Sequence, residues 1–141
     1  MIKNPFKKNE EKNTIDEIVL ISALLVHAAR ADENYTDIER KIIINAIVEL
    51  KKTDLEKAEK ILQQGEDKEK ESNQIVEFTR EVKKYSMEFR LKIIEIIWKI
   101  VYSDGSNDMY ESGLIRRICG LLYISDKDNG IIKIKVQNLL K

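Results

Sequence analysis

The chain has 141 residues and a mass of 16.5 kDa, the size of one ordinary domain with one core, which excludes a multi-domain enzyme. Its 25 Lys and Arg balance 25 Asp and Glu, so no whole-molecule field draws it to nucleic acid or an anionic membrane. A single cysteine excludes an intramolecular disulfide and a Cys-rich metal centre, and five Gly and one Pro amid many long straight side chains favour helix over sheet.

Residues 1–13 form a basic leader, with Lys3, Lys7, Lys8 and Lys12 around Ile2 and Phe6. No apolar run follows directly, so a cleaved signal peptide is not expected. The apolar runs at 18–29 and 91–102 fall short of the roughly 20 residues that span a bilayer. Both read as central helices of a soluble core, and the basic leader suits contact with anionic lipid at a membrane surface or with a partner.

Cap signals divide the remainder into helices. Thr14, with Asp16 and Glu17 in the first turn, predicts a helix to about Ala31. Thr36 and Glu39 have capping-box spacing and open a helix with Ile38, Ile42, Ile43, Ala46, Ile47 and Leu50 on one face. Thr53 and Glu56 repeat the box and open a shorter helix expected to end near Gly65. Residues 66–72 contain no apolar side chain and read as a linker. Ile75, Phe78, Val82 and Tyr85 then predict a bridging helix over about 72–85. Ser86, Asp108 and Ser125 open three more helices, the last ending near Leu140.

Thr14 and Ser86, Thr36 and Asp108, and Thr53 and Ser125 are each 72 residues apart. This register implies a duplicated three-helix unit, with halves at 14–65 and 86–140 inside a single domain at 14–141. The same offset pairs Asp32 with Asp104 and Glu39 with Glu111. In each half an Asp ends one helix and a Glu occupies the third position of the next. Clustered carboxylates beside turn carbonyls suit a hard divalent cation, although neither loop has EF-hand spacing. The same acids also serve as caps and turn formers, since Glu39 and Glu111 complete capping boxes and Asp108 is a good N-cap. Both readings stand on the residues alone.

The stretch from Trp98 through Ser103, Asp104 and Gly105 to Tyr110 and Glu111, followed by Leu114, Ile115, Ile118, Leu121 and Leu122, resembles the TerB-like family of bacterial tellurite-resistance-associated proteins. Ala29, Arg30, Ala31 and Asp32 through Glu39 repeat the pattern more loosely, and the resemblance covers roughly residues 14–137. It implies an all-α, internally duplicated bundle of about seven helices and a cytoplasmic bacterial protein. It further implies a divalent metal ion (Mg, Ca, Mn or Zn) at Asp32, Glu39, Asp104 and Glu111. Glu33 stands where the family usually has the glycine that Gly105 supplies, and Asn107 replaces the apolar residue that Tyr35 supplies, so the two turns are expected to differ.

Other residues point to packing. The lone His27 pairs in the repeat with Lys99 and reads as a helix-surface or partly buried side chain. Cys119 and Trp98 read as core. Arg40, Lys41, Arg116, Arg117 and Lys133 lack a phosphate loop or recognition motif, so no nucleic-acid partner is expected. No catalytic constellation assembles, and paired carboxylates in acid/base work are the weakest reading. The expectation is a non-enzymatic, metal-binding or metal-sensing accessory module in a tellurite-type stress response with a protein partner. The alternative is a metal-free helical adaptor, docked by protein contacts and placed near the inner membrane surface by its leader.

Overall fold

The computed structural model describes the backbone of residues 11–32, 35–72, 74–103 and 109–139, with side chains for 17–31, 35–72, 74–103 and 113–139. These residues form seven α-helices: α1 (Glu11–Ala29), α2 (Asp37–Lys51), α3 (Leu55–Glu71), α4 (Ile75–Lys83), α5 (Met87–Tyr102), α6 (Met109–Leu121) and α7 (Asp126–Leu139). A 3-10 turn, Arg30–Asp32, extends α1. The expected all-α bundle of about seven helices is therefore what forms.

The two apolar runs are the central helices. In α1, every residue from Ile21 to Val26 is buried, and α5 buries Ile93, Ile94, Ile96, Ile97, Trp98, Ile100 and Val101. Helices apolar nearly all round need neighbours on several sides. Accordingly, α1 packs on α2, α3, α4 and α5, while α5 packs on α1, α2, α6 and α7. The heaviest contact in the first half is α1 with α3, and in the second α5 with α7, so the two three-helix units share one packing plan.

Several boundaries correct the sequence reading. The helix expected from Thr14 begins by Glu11, so the leader's last three residues are helical and Thr14 lies inside α1. The third helix does not stop at Gly65 but runs to Glu71, and the expected linker at 66–72 is almost entirely its last two turns. Absence of apolar residues was the wrong criterion there, because Glu66 and Glu69 continue the buried stripe of Ala58, Ile61, Leu62 and Gly65. The bridging helix is correspondingly shorter, Ile75–Lys83.

The caps locate the repeat more finely. Thr36 Oγ1 accepts from Glu39 N at 3.1 Å, and Glu39 Oε1 accepts from Thr36 N at 2.8 Å, completing the predicted box. Ser86 caps α5 through Phe89 N at 3.2 Å. The cap of α3 is Asp54, which accepts from Lys57 N at 2.8 Å, and not Thr53. Its counterpart is Ser125, which accepts from Asp128 N at 3.1 Å. Ahead of each cap stands a non-glycine residue in the left-handed region, Lys52 (φ 54°) and Tyr123 (φ 58°). The amide after each reaches back five residues, Thr53 N to Val48 O and Ile124 N to Cys119 O, as in a Schellman ending. The offset is thus 72 at the starts of α2 and α6 and becomes 71 at these turns. With 71, Ile61 matches Ile132 and Gly65 matches Val136, all buried.

The Thr36 cap bears directly on the first acidic turn. Thr36→Ala is expected to cost about 1 kcal/mol by loss of the hydroxyl acceptor. Urea midpoints of the two proteins measure it, and Thr36→Ser, which keeps the acceptor, is expected to recover most of the loss.

Candidate functional site at the first acidic turn

The four acids of the sequence reading are unequally placed. Asp32 closes the 3-10 turn, and its side chain lies outside the described residues. Glu39 is 3% exposed at the third position of α2, where one carboxylate oxygen is committed to the capping box. Asp104 lies outside the described residues; Glu111 sits in α6, with its side chain outside them. Among the described residues, no group of three or more His, Cys, Asp or Glu is arranged to hold a metal ion. The 3-10 turn that ends in Asp32 packs against α6, the helix that bears Glu111.

Sequence reasoning missed the side chains that surround this turn. Glu66 and Glu69 lie one helical turn apart on α3, buried to 8% and 7% exposure. Glu66 Oε2 accepts from Tyr35 OH at 2.7 Å and from Arg40 Nε at 3.0 Å. Glu69 Oε1 accepts from Arg30 NH1 at 2.8 Å, and its Oε2 lies 3.3 Å from His27 Nδ1. The Arg30 guanidinium also sits over the Tyr35 ring, 5.2 Å from its centroid, joining the two pairs. Burial, reinforced by the Glu66 carboxylate, pushes the Tyr35 phenol well above its ordinary range. The hydrogen bond to Glu66 holds the Arg40 guanidinium firmly charged. The available signal was periodicity: Leu62, Glu66 and Glu69 stand at i, i+4 and i+7, the spacing of one helix face.

The remaining candidates are packing residues or are engaged elsewhere. His27 is partly buried against Phe78 and Glu69. Cys119 is 1% exposed, and burial, with a smaller contribution from Asp126, pushes its thiol up to about 12, far from thiolate reactivity. Trp98 is core, as expected. Of the basic residues, Arg40 belongs to the Glu66 pair and Lys133 lies over the Trp98 ring. Glu95 on α5 is held below its usual range because Lys135 and Lys99 outweigh the opposing effect of burial.

A bundle of two similarly packed three-helix units, joined by a short helix and carrying an acidic turn braced from α3, defines a class of small all-helical proteins. The family model for tellurite resistance protein TerB matches residues 18–133, and the chain belongs to that family. No curated protein and no solved structure matches it. No helix of the described residues is long and apolar enough to cross a membrane.

Proposed function

We propose that this TerB-family chain is a non-enzymatic cation-binding accessory module of a tellurite-type stress response, acting in the cytoplasm with a protein partner. Its ligands are Asp32, Glu39, Asp104 and Glu111, an all-oxygen set suited to Mg, Ca or Mn and compatible with Zn. The observation that carries the reading is the packing of the Asp32-bearing 3-10 turn on the Glu111-bearing helix. It favours one site shared between the halves over two separate turns. Glu39 suits such a site by its placement: Thr36 N donates to its Oε1 at 2.8 Å, which sets the orientation of the carboxylate. A bound cation supplies charge neutralisation to acids that otherwise repel one another.

Titration calorimetry of the full chain with Mg, Ca, Mn and Zn ions tests this. Saturable binding of at least one ion is expected, weakened at least tenfold by Asp32→Asn and equally by Asp104→Asn if the site is shared. Loss of half the sites in each variant indicates two separate turns. No saturable binding of any of the four ions overturns the reading.

The metal-free adaptor reading has its own observation. Ile131 and Ile134, three residues apart on α7, are 56% and 57% exposed. An exposed apolar pair of this kind suits a helix-docking partner.

A further inference from the structure

The two halves of the bundle differ on the outside of their third helices. On α7, Ile131, Ile134 and Leu139 are 56%, 57% and 61% exposed. At the 71-residue offset α3 carries Lys60, Gln63 and Lys68 in these places, the polar side chains that a solvent face calls for. Helix α7 packs on α5 and α6 and buries Ile132 and Val136. On its opposite side Lys127, Ile131, Ile134 and Asn138 follow at steps of four, three and four residues, the spacing of a two-helix seam. Asp128 and Lys135 are seven residues apart, so both stand on one flank of that seam.

We infer that α7 pairs antiparallel with α7 of a second copy of this chain, with Ile131 of each copy packed on Ile134 of the other. Charge selects the partner and the direction. In an antiparallel pair like flanks meet, which sets Asp128 of each copy beside Lys135 of the other, one contact made twice about a two-fold axis. A parallel pair sets Lys135 against Gly130 and forms no such ion pair. Lys135 can turn to this use without stranding a charge. Its Nζ lies 3.1 Å from Glu95 Oε1, but Glu95 also has Lys99 Nζ at 3.5 Å and keeps that partner. Each copy offers fewer side chains than the roughly 20–30 of a standard interface, so the dimer is a weak one. The inference gives the exposed pair of the adaptor reading an occupant and is independent of the cation reading.

Sedimentation equilibrium of the full chain at low salt tests the pairing. A monomer–dimer equilibrium is expected between about 10 μM and 1 mM, the range of a small interface. Ile134→Lys changes an exposed side chain, so the circular dichroism spectrum is expected to stay as it is while association weakens at least about tenfold. Asp128→Lys and Lys135→Glu each bring like charges together at both contacts, and each is expected to weaken association at least about threefold. Mixed in equal amounts, these two variants regain both ion pairs, and their heterodimer is expected to form within about twofold as well as the unmutated dimer. An unmutated chain that stays monomeric to about 1 mM overturns the inference. The exposed face then belongs to a different protein, and the adaptor reading stands without self-pairing. Association that Ile134→Lys leaves intact, or a charge-variant loss that mixing does not restore, overturns it as well.

Discussion

Trp98→Ala is expected to remove about 3–5 kcal/mol, the usual cost of truncating a fully buried large aromatic. Trp98 is 2% exposed on α5 and fastens that helix to α7. Its Nε1 donates to Asn129 Oδ1 at 2.9 Å, and Lys133 Nζ lies 5.3 Å from its ring centroid. On its own helix it stacks on Tyr102, with centroids 5.5 Å apart and planes 18° apart. Truncation therefore leaves a large void and an Asn acceptor without its donor. Against a typical domain stability of about 5–15 kcal/mol, the variant retains little margin. Trp98→Phe keeps most of the bulk but not the donor, and a loss of about 1–2 kcal/mol is expected. Trp98 is the only tryptophan, so far-UV circular dichroism in denaturant, rather than fluorescence, is the measurement. A loss below about 1 kcal/mol for Trp98→Ala would show that α7 does not depend on this anchor.

The helix order, the two central helices and the caps at Thr36 and Ser86 were legible because each is encoded within a few residues. The failures have two causes. At 66–72 charge was taken as a sign of exposure, yet Glu66 and Glu69 are buried because their partners arrive from far along the chain, 26 to 42 residues away. Nothing local announces such partners. The third pair of caps had the opposite problem: Thr53 and Asp54 are both good N-caps, and only the backbone decides between them. The apparent 72-residue register therefore hid a one-residue change at the turn before α3 and α7. At the candidate site, Glu39 was legible as a capping acid. Its further use as a ligand was not, because one spacing satisfies both roles.

That one-residue change leads to the second large expected effect, at Gly65. In the matching position the second half has a buried valine, Val136, and Ser22 on the first central helix corresponds at the 72-residue offset to the buried Ile94 on the second. The first half is built the other way, with small residues that let α3 approach α1. A Cβ on Gly65 would lie 2.7 Å from Ser22 Cβ and 3.2 Å from both Ala23 N and Ser22 C. Two of these three atoms are backbone, which cannot rotate aside. Two effects then oppose each other in Gly65→Ala. Helix propensity favours alanine by about 1 kcal/mol, whereas forcing the helices apart costs about 1–3 kcal/mol and sometimes more. Separation of α3 from α1 also stretches the Glu69 contacts to His27 on α1 and to Arg30 in the turn that extends it. The clash therefore wins, and a net loss of about 2 kcal/mol is expected in urea denaturation. Gly130 in α7 supplies the control, since a Cβ there meets nothing within 4 Å. Gly130→Ala is expected to stabilise by up to about 1 kcal/mol, the opposite sign for the same chemical change. Ser22 supplies the cause: its hydroxyl is buried with no hydrogen-bond partner among the described residues, so Ser22→Gly removes the clashing atom without breaking a described bond. In the Ser22→Gly background the cost of Gly65→Ala is expected to shrink by at least about 1 kcal/mol, a coupling typical of residues in direct contact. Additive losses would mean that Gly65 is needed for some reason other than the approach of α3 to α1.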